Sequence, residues 1–419
     1  MIYYSTAFFL YYLALFFVFR SEEKVNVLAL LLGLIPLVLL VVLRGDVGTD
    51  TSQYMRIVTH IRDTGRAVAG IEILFFTLIK ILILFVGDPR SILAIISLLI
   101  TAILVTESLE STRSALVFAF CIVPIFYLDM TMNGIRYGLA FALAAYSIAL
   151  FYQGKYLASE ILQFISVFVH TSALLLFIIV CLLTEPGKQR VRIAVSTCIN
   201  FLLVVLFNIP SLGFALQGDF VRNFGDSGAF GVPGLPGLPG TPGLPGTPGS
   251  EIRSTSLFGS LLVKFAVYKN FKSPSLLSGL TPLGLSVLTL LIAQFYDRSR
   301  RLFSRRQVVV LGALAFLTFC IAKVSYAGLR LQFVVLFSIF LTLQHHPGCR
   351  FAKDSYRKIR AGLLLVGVVG WFLFFCRGAL KTEGHGRSPF LPYKINPALV
   401  EMQSGGLFKH IPDPQSKID

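Results

Sequence analysis

The chain has 419 residues, of which 55% are hydrophobic and only 14% are charged, whereas about a quarter of an ordinary soluble domain is charged. Apolar runs of about 15 to 25 residues recur along the chain, long enough to cross a bilayer as helices, and they lack the alternation of barrel strands. The composition therefore excludes a soluble domain and predicts an all-α polytopic membrane protein with roughly 11–13 transmembrane helices. The formal net charge of +16 is explained by basic cytoplasmic connections and not by nucleic-acid binding.

The distribution of Arg and Lys predicts the orientation of the chain in the membrane. Arg20 and Lys24 follow the first apolar run, and the connections 185–192, 297–306 and 344–360 are strongly basic. Short basic connections stay on the cytoplasmic side. The predicted organisation is N-terminal membrane helices 1–209 with an outer loop at 44–70, a long outer connection 210–275, C-terminal membrane helices 276–377 and an outer tail 378–419.

The region between residues 71 and 183 allows two arrangements. If every apolar run there crosses the membrane, Arg136 faces the cytoplasm. If the long run 157–183 is instead two half-helices that meet at His170, and 71–87 only dips into the membrane, Arg136 and His170 both face outward. Broken helices are tolerated where the freed backbone lines a polar cavity. The second arrangement agrees with the sidedness of the basic connections, so we favour it.

The outer connection contains six unbroken Gly-X-Pro triplets at residues 231–248, which is a collagen-like pattern. One interpretation is a short triple helix that makes the protein a trimer. The other is a single extended polyproline II segment, spanning up to about 55 Å at 3.1 Å per residue. Because six triplets without a trimerisation domain make a weak triple helix, we favour the spacer.

Polar side chains near the outer ends of the runs are the candidates for chemistry, because a charge at the membrane edge is costly without a purpose. Arginine suits phosphate recognition, and a carboxylate or histidine suits proton removal. Simpler roles compete: Arg44 as a snorkelling side chain, Asp50 and Glu72 as helix caps, Tyr54 in an aromatic belt and His170 as a helix break. The candidates are Arg44, Asp50, Tyr54, Glu72, Arg136, His170 and Arg330.

The sequence contains no clear motif for a metal or nucleotide site. His345 and His346 are adjacent but isolated, and the six cysteines have no paired spacing. The chain contains no P-loop, no glycine-rich dinucleotide motif and no H-E-x-x-H. The sequence therefore predicts neither a metal site, nor disulfides, nor a nucleotide-driven pump.

Four stretches share their order and spacing with a known family. They are R-G-D-V-G-T-D-T-S-Q-Y at 44–54, followed by Glu72; M-N-G-I-R-Y-G-L-A-F-A-L at 132–143; F-V-H-T-S-A-L-L-L at 168–176; and Y-A-G-L-R at 326–330, with Pro392-Tyr393 in the tail. With these motifs the chain resembles the EpsG/Wzy-type family of bacterial polysaccharide polymerases. Tyr137 stands where that family usually has glutamine, and the Gly-X-Pro tract is no part of the family pattern.

The resemblance implies a multi-pass glycosyltransferase of the bacterial cytoplasmic (inner) membrane. Such enzymes join undecaprenyl-diphosphate-linked oligosaccharide units into O-antigen, capsule or exopolysaccharide at the outer face. The leaving group is already activated, so neither a cofactor nor a metal is required. Beyond the lipid-linked substrate and the bilayer, a flippase and a chain-length regulator are the expected partners.

The resemblance also suggests roles for the candidate residues. The candidates for substrate binding are Arg44, Tyr54, Arg136 and Arg330. Cationic groups stabilise the departing diphosphate, and a base near the acceptor hydroxyl takes its proton. His170 is the first candidate for that base, and Asp50 or Glu72 the second.

Two other functions remain open from the sequence. A lipid-linked oligosaccharide flippase would line a translocation path with the same arginines, although such transporters tend to have repeated halves and no duplication is evident. A ligase that transfers a finished glycan to lipid A core would share the outer arginines and histidine.

Overall fold

The computed structural model describes residues 2–19, 25–45, 47, 50–66, 71–207, 279–295, 302–324, 326–346 and 356–376. All regular secondary structure in these ranges is helical. Most of the predicted outer connection, with the Gly-X-Pro tract 231–248, and the predicted outer tail lie outside the described residues. The helices are α1 Ile2–Val18, α2 Val27–Val42, α3 Thr51–Thr64, α4 Ile73–Phe85, α5 Pro89–Ser108, α6 Thr112–Val117, α7 Ile135–Tyr152, α8 Tyr156–Val169, α9 Ala173–Leu183, α10 Lys188–Phe207, α11 Leu280–Phe295, α12 Arg305–Val324, α13 Tyr326–His345 and α14 Tyr356–Trp371, with π-helical segments at Phe118–Tyr127, Asp129–Asn133 and Phe372–Cys376.

Five of these helices are long and apolar enough to cross a membrane, and seven shorter helices are also apolar. The five candidate spans are Pro89–Ser108, Ile135–Tyr152, Lys188–Leu206, Arg305–Lys323 and Gly328–His345. The prediction of an all-α membrane protein is therefore confirmed. The number of 11–13 spans stays a prediction.

Polar contacts between helix ends define two opposite ends of the helix bundle. At one, which we call the Arg136 end, Glu72 contacts both Arg136 and His170. At the other, the His346 end, the Tyr152 hydroxyl lies 3.2 Å from the Thr184 hydroxyl and the Tyr152 ring meets the ring of His346. Helix α7 runs from Arg136 at one end to Tyr152 at the other. Helix α8 returns to the Arg136 end, where His170 lies, and α9 leads back to Thr184 at the His346 end. The chain between 156 and 183 is therefore a helical hairpin broken at His170.

Three described arginines lie at or near the His346 end, two of them from the predicted basic connections. Arg113 donates to the carbonyl oxygens of Gln344 and His346, and Arg306 donates to that of Leu182. The guanidinium of Arg360, at the start of α14, donates to the carbonyl of Phe19 at the end of α1. Since short basic connections stay on the cytoplasmic side, this arrangement favours a cytoplasmic His346 end and an outward-facing Arg136 end.

Helix α4 begins and ends at the Arg136 end. Glu72, its N-cap residue, contacts Arg136, and Arg90, two residues into the next helix, lines a small cavity together with Arg44. A helix whose two ends lie at one end of the bundle does not cross it. The broken hairpin at His170 and the two ends of α4 agree with the second arrangement for residues 71–183, and the position of α4 in the membrane stays a prediction.

Two π-helical segments, Phe118–Tyr127 and Asp129–Asn133, lead to the Arg136 end. The first includes Pro124, which has no backbone N–H to donate to a regular α-helical bond. Helix α7 then approaches so near that a Cβ added at Gly138 would lie 2.1 Å from the carbonyl oxygen of Met130. The glycine in the R-Y-G motif is thus explained by close backbone packing, which positions Arg136 two residues earlier.

Candidate active site

The side chain of Glu72 joins two of the predicted site residues. Its Oε2 lies 2.9 Å from Nη1 of Arg136, and its Oε1 lies 2.7 Å from Nδ1 of His170. The three side chains are between 17% and 21% exposed, so they are shielded from bulk water but can be reached. Glu72 makes no side-chain capping bond to α4, and its carboxylate instead bridges two separate elements.

His170 lies where the backbone leaves the helix. Its extended φ of −158° ends α8, while its N–H still bonds the carbonyl of Ser166. An ionised carboxylate only accepts hydrogen bonds, so the contact with Glu72 requires the proton on Nδ1 when the ring is neutral. The lone pair is then on Nε2, to which no hydrogen bond is made among the described residues. This is the tautomer of a histidine base held by a carboxylate.

The ionisation states agree with this assignment. Burial would raise the pKa of Glu72, but the hydrogen bond from His170 and the charges of His170 and Arg136 outweigh burial and hold the pKa below its ordinary value. Burial lowers the pKa of His170, and the attraction of Glu72 offsets only part of that effect. At neutral pH the pair is therefore a carboxylate and a neutral imidazole.

Three further predicted residues surround this group. Tyr54 is buried on α3 and interacts electrostatically with Arg136, Asp50 and Glu72. Burial raises the pKa of its hydroxyl, which therefore stays a donor. Arg330, exposed near the start of α13, is close enough to interact with His170. Asp50 is the N-cap residue of α3, but its side chain makes no capping bond.

Arg44 is in the protein interior, only 5% exposed, and has a structural contact. Its guanidinium donates to the carbonyl of Thr131, and the Thr51 hydroxyl lies 3.0 Å from the carbonyl of Met132. Both carbonyls belong to the second π-helical segment, so the loop after α2 is fixed to that segment at two points. The predicted contact of Arg44 with substrate stays a prediction.

The sequence did not single out Asp129, which the fold brings beside the predicted residues. It interacts electrostatically with Asp50 and Arg330, and its Oδ1 accepts a hydrogen bond of 3.1 Å from Asn133. An acidic residue inside an otherwise apolar run, four residues before an Asn-Gly, is the signal that could have indicated it. Ser172 is a second addition, because its hydroxyl is buried and has no hydrogen-bond partner among the described residues.

The structure thus brings together six of the predicted site residues, and the seventh, Arg44, lies deeper in the protein. The six are Asp50, Tyr54, Glu72, Arg136, His170 and Arg330.

The family comparison covers most of these residues. Residues 26–227 match the EpsG family. The matched segment is slightly less than half of the 419 residues and contains every predicted site residue except Arg330. The resemblance indicated by the sequence motifs is confirmed over this segment.

The EpsG match indicates, in broad terms, a polysaccharide-polymerase type of function. Together with the apolar helices it indicates a multi-pass membrane protein. No curated protein and no solved structure matches the chain. Finer statements about substrate and mechanism therefore depend on the geometry of the site.

Proposed function

We propose that the chain is a membrane glycosyltransferase that joins polyprenyl-diphosphate-linked oligosaccharide units into a surface polysaccharide. In this reaction a hydroxyl of the acceptor sugar attacks the anomeric carbon of the donor. The bond from that carbon to the diphosphate breaks, and undecaprenyl diphosphate leaves with the electron pair. The observation that carries the proposal is the Glu72 carboxylate, which bridges an arginine and a histidine at one end of an apolar bundle.

His170 is the proposed general base. Its neutral ring presents the Nε2 lone pair, which takes the proton from the attacking hydroxyl and becomes an imidazolium. Glu72 fixes the tautomer and stabilises that positive charge at 2.7 Å. Positioned proton transfer of this kind contributes roughly 10²- to 10⁴-fold to the rate. Glu72 itself, engaged at both oxygens, is better suited to orienting His170 than to acting as the base.

Arg136 and Arg330 are the proposed contacts to the diphosphate. A guanidinium carries five N–H donors, so the bond from Arg136 to Glu72 through Nη1 does not prevent a second contact to a phosphate oxygen. Both Arg136 and Arg330 interact electrostatically with His170, which supports a role for the two cations beside the proposed base. Their charge stabilises the diphosphate as it leaves.

Tyr54, Asp50 and Asp129 are proposed to hold sugar hydroxyls. The neutral Tyr54 hydroxyl donates a hydrogen bond, and the two carboxylates accept them. A second carboxylate near the anomeric carbon also favours the positive charge that develops there in glycosyl transfer. Arg44 contributes by holding the π-helical segment that carries Asp129.

The apolar surface beside the site is suited to the lipid part of the substrate. Leu84 and Phe85, at the end of α4, are 81% and 80% exposed. Because both ends of α4 lie at the Arg136 end, these exposed side chains are available to the part of a polyprenyl chain that is nearest to the diphosphate. The diphosphate of a tail lying along α4 then comes to the level of Glu72.

The test is a gel of surface polysaccharide from a deletion strain complemented with variants. We expect the deletion strain to carry a single repeat unit on the lipid A core and the wild-type gene to restore the polysaccharide ladder. His170→Ala, present at the same level in the membrane, should lose most of the ladder. Absence of even the single unit in the deletion strain would favour a ligase or flippase. A full ladder from His170→Ala would exclude His170 as the base.

A further inference from the structure

Helix α5 carries two buried hydroxyl side chains on the face that packs against the π-helical segments. Ser97 is completely buried, and its Oγ lies 2.7 Å from the carbonyl oxygen of Thr131. One turn further along α5, Oγ1 of Thr101 lies 3.0 Å from the hydroxyl oxygen of Tyr127. Serine and threonine side chains in apolar membrane helices form such hydrogen bonds to neighbouring helices. Ser97 has no role in the reaction as proposed.

The carbonyl of Thr131 also receives a donor from a different part of the chain. The guanidinium of Arg44 donates to the same oxygen, and the Thr51 hydroxyl lies 3.0 Å from the next carbonyl, that of Met132. Carbonyl groups near the end of a helical segment lack donors within that segment and need them from elsewhere. The π-helical segment Asp129–Asn133 ends directly before α7, and side chains from three separate parts of the chain supply donors there.

Thr131 lies in the chain between two residues of the candidate site. Asp129 precedes it by two residues, and Arg136 follows it by five. The turn between them is closed by two further bonds. The N–H of Gly134 donates to the carbonyl of Asp129 at 2.8 Å, and the side chain of Asn133 donates to the Asp129 carboxylate at 3.1 Å. Because this turn is closed on itself, a shift of Thr131 is passed on to the residues on either side of it.

We propose that Ser97 is a positioning residue that acts through the carbonyl of Thr131. By holding this carbonyl it fixes the spacing between Asp129 and Arg136, which are the proposed contacts to a sugar hydroxyl and to the diphosphate. This inference rests on the proposed polymerase function. A misplacement of about 1 Å far from the chemistry can lower a rate by roughly 10²-fold. Loss of one of the bonds that hold the segment, with a smaller shift, should lower turnover by roughly tenfold.

Ser147 is a matched control for Ser97. It is also buried, and its Oγ donates to the carbonyl of Ser159 at 2.8 Å, which joins α7 to α8. It lies eleven residues beyond Arg136 on α7, about 16 Å along the helix at 1.5 Å per residue. Ser97→Ala and Ser147→Ala therefore each remove a buried serine hydroxyl that bonds to the backbone of a neighbouring element, and only the first of these bonds holds the π-helical segment.

The test compares Ser97→Ala with Ser147→Ala in the purified full-length protein in nanodiscs. Thermal unfolding measures stability, and polymer formation from purified lipid-linked units gives turnover and KM. We expect similar losses of thermal stability, because each variant lacks one hydrogen bond to a backbone carbonyl. Turnover should fall by roughly tenfold in Ser97→Ala with little change in KM, as for groups that are misplaced only in the transition state. Turnover of Ser147→Ala should stay near that of the wild type.

A double-variant cycle with Asp129→Asn tests whether Ser97 acts through the spacing of the two contacts. That spacing matters only while both contacts are present. Ser97→Ala should therefore cost clearly less turnover in the Asp129→Asn background than in the wild type, whereas independent effects would multiply. Thr51→Val, which removes the bond to the carbonyl of Met132, is the second variant in case Ser97→Ala fails to fold, and the same coupling is expected of it.

Two results would overturn the positioning role. One is a turnover of Ser97→Ala equal to that of Ser147→Ala, which would leave Ser97 with a contribution to stability alone. The other is a pair of effects of Ser97→Ala and Asp129→Asn that simply multiply. Absence of polymer from the wild-type protein would instead contradict the proposed function itself.

Discussion

Replacing Glu72 with glutamine is the most direct perturbation of the candidate site. Glutamine keeps the size of the side chain and an oxygen that can accept from Nδ1 of His170, but it removes the negative charge. The tautomer of His170 is therefore preserved while the stabilisation of its protonated form is lost. Glu160→Gln is the matched control, because Glu160 also accepts from an arginine, Arg192, at 2.8 Å but lies on the first half of α8.

The magnitude follows from the charge interaction. Two unit charges 4 Å apart at an effective dielectric of 20 attract by about 4 kcal/mol, and the partial exposure of both side chains reduces this to roughly 3–4 kcal/mol. At 1.36 kcal/mol per decade the turnover should fall by roughly 10²- to 10³-fold. Loss of the Glu72 charge also deprives Arg136 of its carboxylate partner, which should cost about 1–3 kcal/mol of folding stability, as for a buried donor that loses its acceptor.

The pH dependence gives a second readout that a merely structural glutamate would not move. Glu72 raises the pKa of His170 against the effect of burial, so removing its charge should lower that pKa further. Because the base must be neutral, the acid limb of turnover should shift to lower pH in Glu72→Gln. The assay is polymer formation from purified lipid-linked units in nanodiscs between pH 5 and 8. If the acid limb of the pH profile does not move in Glu72→Gln, and its turnover stays within about threefold of that of Glu160→Gln, the proposed pairing of Glu72 with a His170 base is refuted.

Stability should depend on pH in a direction set by the same two groups. The pKa of His170 is lowered from its ordinary value of 6.5 and that of Glu72 from 4.5. For a lowered pKa, the stabilisation is complete above the unfolded-state value and is lost as the pH falls through the folded-state value. We expect the wild type to lose thermal stability on acidification below pH 6.5 and again below 4.5. Glu72→Gln should lack the second loss.

Other predictions follow from the site and the topology. Arg136→Ala and Arg330→Ala should each lower turnover by roughly two to three orders of magnitude, with lysine restoring only part because its ammonium is a point charge; wild-type ladders from both alanine variants would remove the diphosphate contact. In a background without other accessible thiols, a membrane-impermeant maleimide should label Ser52→Cys but not Gln189→Cys in intact spheroplasts, and the reverse pattern would invert the topology. Deletion of residues 231–248 should leave polymerisation largely intact, as expected of a spacer; a stable deletion protein without polymer would assign the tract a function.

The features predicted well from the sequence depend on local pattern or on charge bias. Apolar runs indicated the helices, and the interruption at His170 indicated the broken hairpin. The bias of Arg and Lys indicated that the connections near 190, 305 and 357 share one end, and the structure places them there. These signals are local because helix formation and the cost of burying charge are properties of single segments.

The contacts within the site could not be read from the sequence. Glu72 and His170 are 98 residues apart and Arg136 and Glu72 are 64 apart, so their pairing depends on how α4 is placed and how α8 ends. The structure also bears on the simpler roles considered for two residues. Glu72 makes no side-chain capping bond, and Arg44 is buried against the π-helical segment. Asp129 was overlooked because its run is almost entirely apolar.

A comparison of the two ends of the bundle separates the structural charges from those available to a ligand. At the His346 end, Glu107 is completely buried and bonds His345, which is 5% exposed, so this pair is closed to any ligand. At the Arg136 end the corresponding carboxylate and histidine are 17% and 21% exposed. Both pairs require desolvation of charge, which is costly, but the Glu72–His170 pair is the more exposed of the two. This difference in exposure supports the proposal that a ligand binds at the Arg136 end, whereas the Glu107–His345 pair joins the end of α5 to the end of α13.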